Sequence, residues 1–199
     1  TPQPVYEMLA KQFDQYLDWS RIHLFFGDER AVAPDDDQSN YHMVKLALLD
    51  HIDIPEENIY RMQGELEPQI AAEAYETDIK AFFGNEDSYF DLNLLGMGED
   101  GHTASLFPHT DALHEDEKLV IAHHVTAKGD LWRISQTFPT ILRSSNIMFL
   151  VSGESKAEAL KAVFEGEYLP DEYPSQVIER SEHPHIVWAV DSAAAKLLD

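Results

Sequence analysis

The chain has 199 residues, 44% of them hydrophobic, no cysteine, and 14 basic against 37 acidic residues, a formal net charge of −23. That is enough apolar material for one α/β domain with a substantial core, and the lack of cysteine excludes a disulfide framework and thiolate chemistry, in keeping with a reducing, cytoplasmic setting. The acidic balance argues against nucleic acid, whose phosphates need a basic face, and no apolar run approaches membrane-spanning length.

Thr1-Pro2 reads as a helix start, with Thr as the cap and Pro in the first turn, and the helix should run to about residue 17. A chain that begins abruptly at a helix cap is expected to have lost a preceding segment. Ile22-His23-Leu24-Phe25-Phe26 predicts a strand, 27–40 a polar loop and 41–49 a helix. Residues 68–83 predict a long helix and 92–95 a second, buried strand. A third strand at 119–125 should be more exposed because of His123 and His124. A short helix follows at 139–143, then a fourth strand at 147–151 with its helix at 156–164. A fifth strand at 186–190 and a closing helix at 192–198 complete the chain. Strands alternating with helices imply a single-domain, Rossmann-like α/β fold, a mostly parallel sheet flanked by helices.

In such sheets ligands bind beyond the carboxyl ends of the strands. Three predicted loops leave strand ends there: Gly27-Asp28-Glu29-Arg30, the turn from Gly96 to His102, and Ser152-Gly153-Glu154-Ser155-Lys156. In the second, three glycines permit a tight turn and close approach to a ligand. His102 follows where a short helix is expected to begin, which would place an acid–base group beside a helix N-terminus. Gly96, Gly98 and Gly101 also match the dinucleotide pattern G-x-G-x-x-G. Pro108, however, would end that helix about two turns in, too soon for a crossover helix, so no nicotinamide or flavin cofactor is expected. The competing reading is a plain glycine turn with a solvated histidine.

In the first loop, Asp28 suits orienting a histidine or a water, and Arg30 clamping a phosphate or polar oxygen; an Asp–Arg pair that merely stabilises the loop is the bland alternative. In the third, amides at a helix start could meet phosphate with Lys156 as counter-charge, against the alternative of a solvent-facing lysine. Arg133, in Trp132-Arg133-Ile134-Ser135 with Lys128 just before, is either a clamp or a stem packed on Trp132. No metal site is expected. Asp35-Asp36-Asp37 starts like a calcium loop, but Asn40 stands where glycine is needed and Leu46 where the bidentate Glu belongs. The ten histidines show no zinc spacing. Ser105 lies in no nucleophile elbow.

The run from Gly96 through His102 to Ser105-Leu106-Phe107-Pro108 resembles the 6-phosphogluconolactonase family. Phe25-Phe26-Gly27-Asp28-Glu29-Arg30, Ser39-Asn40-Tyr41, Arg133-Ile134-Ser135-Gln136-Thr137, Gly153 with Lys156, and Trp188-Ala189-Val190-Asp191 extend the resemblance along the chain. Glucosamine-6-phosphate deaminase is similar in fold, but continues after its histidine toward Asn-Glu-Pro, where Ser105-Leu106-Phe107-Pro108 stands here. Two departures are visible. The family's Ser-Gly-Gly-Ser-Thr-Pro loop survives only as Thr1-Pro2, so its N-terminal strand is expected to be missing. The Arg133 segment reads Ile-Ser-Gln-Thr-Phe where Ile-Thr-Leu-Thr is usual.

The resemblance implies hydrolysis of 6-phosphoglucono-1,5-lactone to 6-phosphogluconate in the oxidative pentose phosphate pathway, with no metal or organic cofactor. It implies His102 as general base, with Asp28 orienting His102 or the water, or holding a sugar hydroxyl. It implies backbone amides of the turn from Gly98 to Gly101, with Arg30, at the oxyanion, and Arg133 with Lys156 on the phosphate. The expected partner is a small sugar phosphate, not nucleic acid or membrane, and the expected state is a monomer or weak homo-oligomer. A deaminase or aldose–ketose isomerase, and a non-catalytic sugar-phosphate sensor, are the alternatives.

Overall fold

A computed structural model describes residues 2–84, 86, 88–126 and 129–199; Thr1, the expected helix cap, and Lys128 lie outside them. In chain order the strands are β1 (Leu24–Phe25), β2 (Asp28–Arg30), β3 (Ile59–Tyr60), β4 (Asn93–Gly96), β5 (Val120–Val125), β6 (Leu131–Gln136), β7 (Ile147–Val151) and β8 (Ile186–Val190). The α-helices are α1 (Gln3–Met8), α2 (Asn40–Ala47), α3 (Pro68–Phe83), α4 (Phe138–Leu142), α5 (Ala157–Glu165) and α6 (Gln176–Glu179). Strands β1 and β3 pair in parallel, as do β4, β7 and β8 in that spatial order. Strands β2, β6 and β5 form an antiparallel sheet. The fold is therefore mixed α/β with parallel sheets flanked by helices. Among the described residues, β1 pairs only with β3 and β4 only with β7, and both open edges border one cleft.

Two apolar clusters hold these layers. Helix α3 starts where Glu67 accepts a hydrogen bond from the Ile70 N–H at 3.1 Å and Pro68 supplies a preset φ; it stops at Gly84, φ +61°. Its buried face carries Ala71, Ala72, Tyr75 and Ile79, at helical spacing, against Phe26, Val120 and Ile134. The Tyr75 hydroxyl donates to the Phe26 carbonyl at 3.0 Å and accepts from the Phe26 N–H at 2.6 Å, replacing a strand partner just before the chain turns into β2. The second cluster centres on β7, where Ile147, Phe149 and Val151 alternate inward against Leu160, Val163 and Ile178. Phe149 stacks on Trp188 of β8 with centroids 3.8 Å apart. Each such buried side chain contributes about 1.5–3 kcal/mol.

Several expectations are corrected. The first helix is α-helical only to Met8, then widens into a π turn, Leu9–Phe13, and tightens into a 3₁₀ turn, Asp14–Tyr16; no residue in these two turns is buried, so packing imposes no single helical period. Asp28 to Arg30 is a strand rather than loop: its backbone pairs antiparallel with β6, and its polar side chains find partners in 38–41 and Ser105. Strands β3 and β6 and helix α6 were not expected. Residues 192–198 form turns instead of a helix: the Asp191 side chain takes the Ala194 N–H at 2.8 Å, and Leu198 bonds back to Ala195, three residues away. No helix follows the glycine turn either. Thr103 bridges to Leu106, and the Thr103 hydroxyl donates to the Gly96 carbonyl, folding 103–106 back on itself.

Candidate active site

Strand β4 delivers the glycine turn to the cleft. The Gly98 N–H donates to the His102 carbonyl at 2.8 Å, and the Gly101 N–H donates to the Gly98 carbonyl at 3.1 Å. These two amides are therefore spent inside the turn, and of the turn amides expected at an oxyanion they are the two corrected. Their glycines serve shape instead. A Cβ on Gly98 would stand 2.0 Å from His102 Nδ1. Gly101 has φ +74°, a conformation strained for any side chain, and its Cβ would lie 3.1 Å from the Tyr173 Cα.

The His102 ring occupies a slot. Gly98 lies on one side, and the Phe107 ring lies beside it at a centroid distance of 4.1 Å. His102 Nδ1 is 2.5 Å from Asp100 Oδ1. A carboxylate oxygen can only accept, so Nδ1 carries a proton, and in the neutral ring Nε2 keeps its lone pair. Asp100, not Asp28, is thus the carboxylate that holds the histidine. Asp28 is committed elsewhere: Oδ1 accepts from Asn40 Nδ2 at 3.0 Å, and Oδ2 from Ser105 Oγ at 2.6 Å.

Asp28 and Arg30 owe their place to Glu29 between them. Glu29 is buried on the opposite side of β2 and accepts from the N–H groups of Arg30, Asn40 and Tyr41 and from Ser39 Oγ, at 2.7 to 2.9 Å. Burial pushes its pKa up, and those four donors pull it back. This carboxylate ties β2 to the N-terminus of α2 and so fixes Asn40 against Asp28.

Cross-strand register collects the cations. Arg30 pairs with Arg133, and Arg133 with His123, so the three lie side by side on one face of the antiparallel sheet. Burial and the neighbouring Arg30 lower the Arg133 pKa, against Asp28 and Glu29, which raise it. The Arg133 guanidinium also lies 6.0 Å from the Phe107 ring centre. Arg30 Nη1 donates to the Gln38 carbonyl at 2.5 Å.

Lys156 closes a 3₁₀ turn after β7. Of the amides expected to meet phosphate there, that of Gly153 is taken: it and the Ser152 hydroxyl both donate to Asp191. These bonds hold the Asp191 carboxyl below its usual range. The lysine itself is half-buried.

A cleft of about 910 Å³ joins the three strand-end loops, bringing together Asp28, Arg30, Gly98, His102 and Lys156. Gly101 turns away toward Tyr173, and Arg133 stands beside Arg30 on the next strand without lining the cleft. Tyr6 of α1 also lines it; burial, and then Asp28, raise its pKa. Sequence reasoning did not place Asp100 beside the His102 ring, and missed Asn40, Ser105, Phe107, His123 and Tyr6 as parts of this site. The usable signal was Asp100-Gly101-His102 itself, a carboxylate two residues from a base across a glycine. For Ser105 it was a polar residue within an otherwise apolar run.

The arrangement offers a base with an open lone pair, a carboxylate, and cations at one cleft. Among the described residues no helix is long and apolar enough to cross a membrane. A profile of the family described as "Glucosamine-6-phosphate isomerases/6-phosphogluconolactonase" matches residues 1–188. The chain is 43% identical to a 6-phosphogluconolactonase of Synechocystis sp. over 202 aligned residues, covering 100% of this chain and 81% of the relative. It is 41% identical to one from Haemophilus influenzae, covering 100% and 84%. The solved structure of a 6-phosphogluconolactonase from Trypanosoma cruzi superposes with a TM-score of 0.86 at 27% identity, covering 99% of this chain and 80% of that one.

Proposed function

Since the chain belongs to the glucosamine-6-phosphate isomerase/6-phosphogluconolactonase family, we propose that its cleft hydrolyses 6-phosphoglucono-1,5-lactone to 6-phosphogluconate, with His102 as general base. The enzyme acts in the oxidative pentose phosphate pathway. The observation that carries the assignment is the His102 ring, tied at Nδ1 to Asp100 and lining a cleft that also holds Asp28, Arg30 and Lys156.

A lactone carbonyl is electrophilic, so an activated water and a stabilised oxyanion suffice. His102 Nε2 takes a proton from water as the water oxygen bonds to C1. A positioned base of this kind contributes about 10²–10⁴-fold. Asp100 balances the charge that forms on the imidazole. The imidazolium then gives its proton to the ring oxygen as the C1–O bond breaks, and the product acid ionises. Arg30 meets the oxyanion, while the Gly98 and Gly101 amides hold the turn. Asp28 keeps unused lone pairs on both oxygens and holds a sugar hydroxyl. Lys156 holds the phosphate and turns remote binding into positioning, and Arg133, beside Arg30, adds positive charge from behind the cleft wall. This reading makes the protein a one-domain cytoplasmic enzyme, a monomer or weak homo-oligomer, whose partner is a small sugar phosphate rather than nucleic acid or membrane.

The test is proton release from lactone generated in situ, with the spontaneous rate subtracted. Accelerated hydrolysis without ammonia from glucosamine 6-phosphate is expected. Ammonia release, or binding of 6-phosphogluconate without turnover, would overturn the assignment.

A further inference from the structure

His123 has no part in the chemistry above, yet it reaches the loop that carries the base. We propose that His123 is a positioning residue, which latches the His102 loop to the antiparallel sheet by donating from Nε2 to the Ser105 carbonyl. The distance is 2.6 Å. Ser105 is 1% exposed and belongs to no strand, so its backbone groups need partners from elsewhere.

All three strands of the sheet supply them. The Ser105 hydroxyl donates to Asp28 of β2, its N–H donates to Ser135 Oγ of β6 at 3.2 Å, and its carbonyl accepts from His123 of β5. Asp28 and Ser135 are register partners, while His123 lies one row further on the same face, opposite Arg133. One residue, three positions after the base, is therefore pinned to three strands. Phe107, two residues further, lies 4.1 Å from the His102 ring and 6.5 Å from that of His123. Slackening the carbonyl bond would let Phe107 and the ring it supports shift together. The two histidines of β5 differ in this respect: His123 turns inward to the loop, and His124 faces Trp132 and Asp130 at the surface.

The kinetic part of the test rests on the lactonase reading; the spectroscopic part does not. In the wild-type protein, long-range ¹⁵N–¹H correlation reads the His123 tautomer. The latch requires a proton on Nε2; an Nδ1-only tautomer at neutral pH overturns it without any variant. In His123→Phe, which keeps a ring but no donor, kcat should fall about tenfold with KM within about twofold, the equivalent of one hydrogen bond. The His102 ring signals should move as well. His123→Gln, whose amide can donate from a similar position, should recover kcat to within about threefold. Unchanged kcat and unmoved His102 signals in His123→Phe, or an equal loss in His123→Gln, would overturn the latch. Failure of the wild-type protein to accelerate lactone hydrolysis would instead overturn the lactonase reading, leaving the tautomer and the His102 signals to judge the latch.

Discussion

Replacing Asp100 by Asn preserves the size of the side chain and leaves an oxygen able to accept from His102 Nδ1, so the ring should keep its slot between Gly98 and Phe107. What disappears is the negative charge 2.5 Å from the nitrogen that becomes part of an imidazolium during attack. Hydrogen bonds to charged groups contribute about 1.5–3 kcal/mol against about 0.5–1.5 for neutral ones. The pair is partly open to water, with side-chain exposures of 20% for His102 and 32% for Asp100, which favours the low end of that difference. A loss of about 1–2 kcal/mol of transition-state stabilisation corresponds to a fall in kcat of about 5- to 30-fold. KM should stay within about twofold, because Asp100 supports the base rather than the substrate. Steady-state hydrolysis of freshly generated lactone, corrected for the spontaneous rate, measures both constants. Wild-type kcat in the variant would refute the role given to Asp100. A rise in KM at constant kcat would show that its carboxylate binds substrate instead.

His102→Ala should lower kcat far more than it raises KM, whereas Arg133→Ala should mainly raise KM; near-normal turnover in His102→Ala would remove the base from the mechanism. Gly98→Ala should leave the melting temperature close to wild type but lower kcat about 10²-fold, since the added methyl displaces the His102 ring; a crystal structure showing an unmoved ring would refute this. Burial depresses the His123 pKa. Below its unfolded value of about 6.5 the unfolded chain then binds more protons than the folded one, so stability falls as pH drops from neutral through that value. Urea midpoints of wild type and His123→Gln at pH 7.5 and 5.5 isolate this contribution: the variant should show the flatter pH dependence, and equal slopes would count against it.

Much of the scaffold was legible because its signals are local. Helix α3 matched at both ends because Glu67-Pro68 and Gly84 are strong start and stop signals. Strands β7 and β8 matched because a continuous apolar run between turn residues has few other uses. Strands β2 and β6 were hidden by their inward polar side chains: Glu29, Arg133, Ser135 and Gln136 are all buried, which a pattern of hydrophobicity cannot represent. The closing segment carries helix-forming alanines, yet Asp191 turns it, a local cap that outweighs propensity over so few residues. The three segments expected beyond the strand ends do border one cleft, although Asp28 to Arg30 is a strand and only Lys156 of the third lines it. Which carboxylate holds His102 was not legible, because Asp28 and Asp100 are equally suitable by type. Register settles it: Asp28 pairs opposite Ser135 and is claimed by Asn40 and Ser105, while the Gly101 turn bends Asp100 back onto the ring.

The edges of β1 and β4 that stay open among the described residues, facing the same cleft, also bear on how copies of this chain behave toward one another. Unpaired backbone groups along a strand are templates for any extended segment that reaches them. At neutral pH the excess of 37 acidic over 14 basic residues keeps neighbouring molecules apart before such contacts form. That guard is colloidal rather than structural. It weakens as salt shortens the range of repulsion, and it vanishes as carboxylates take up protons near pH 4. Surface charge is thus expected to hold copies apart at neutral pH and low ionic strength, and to leave edges open among the described residues freer to associate in acid or high salt.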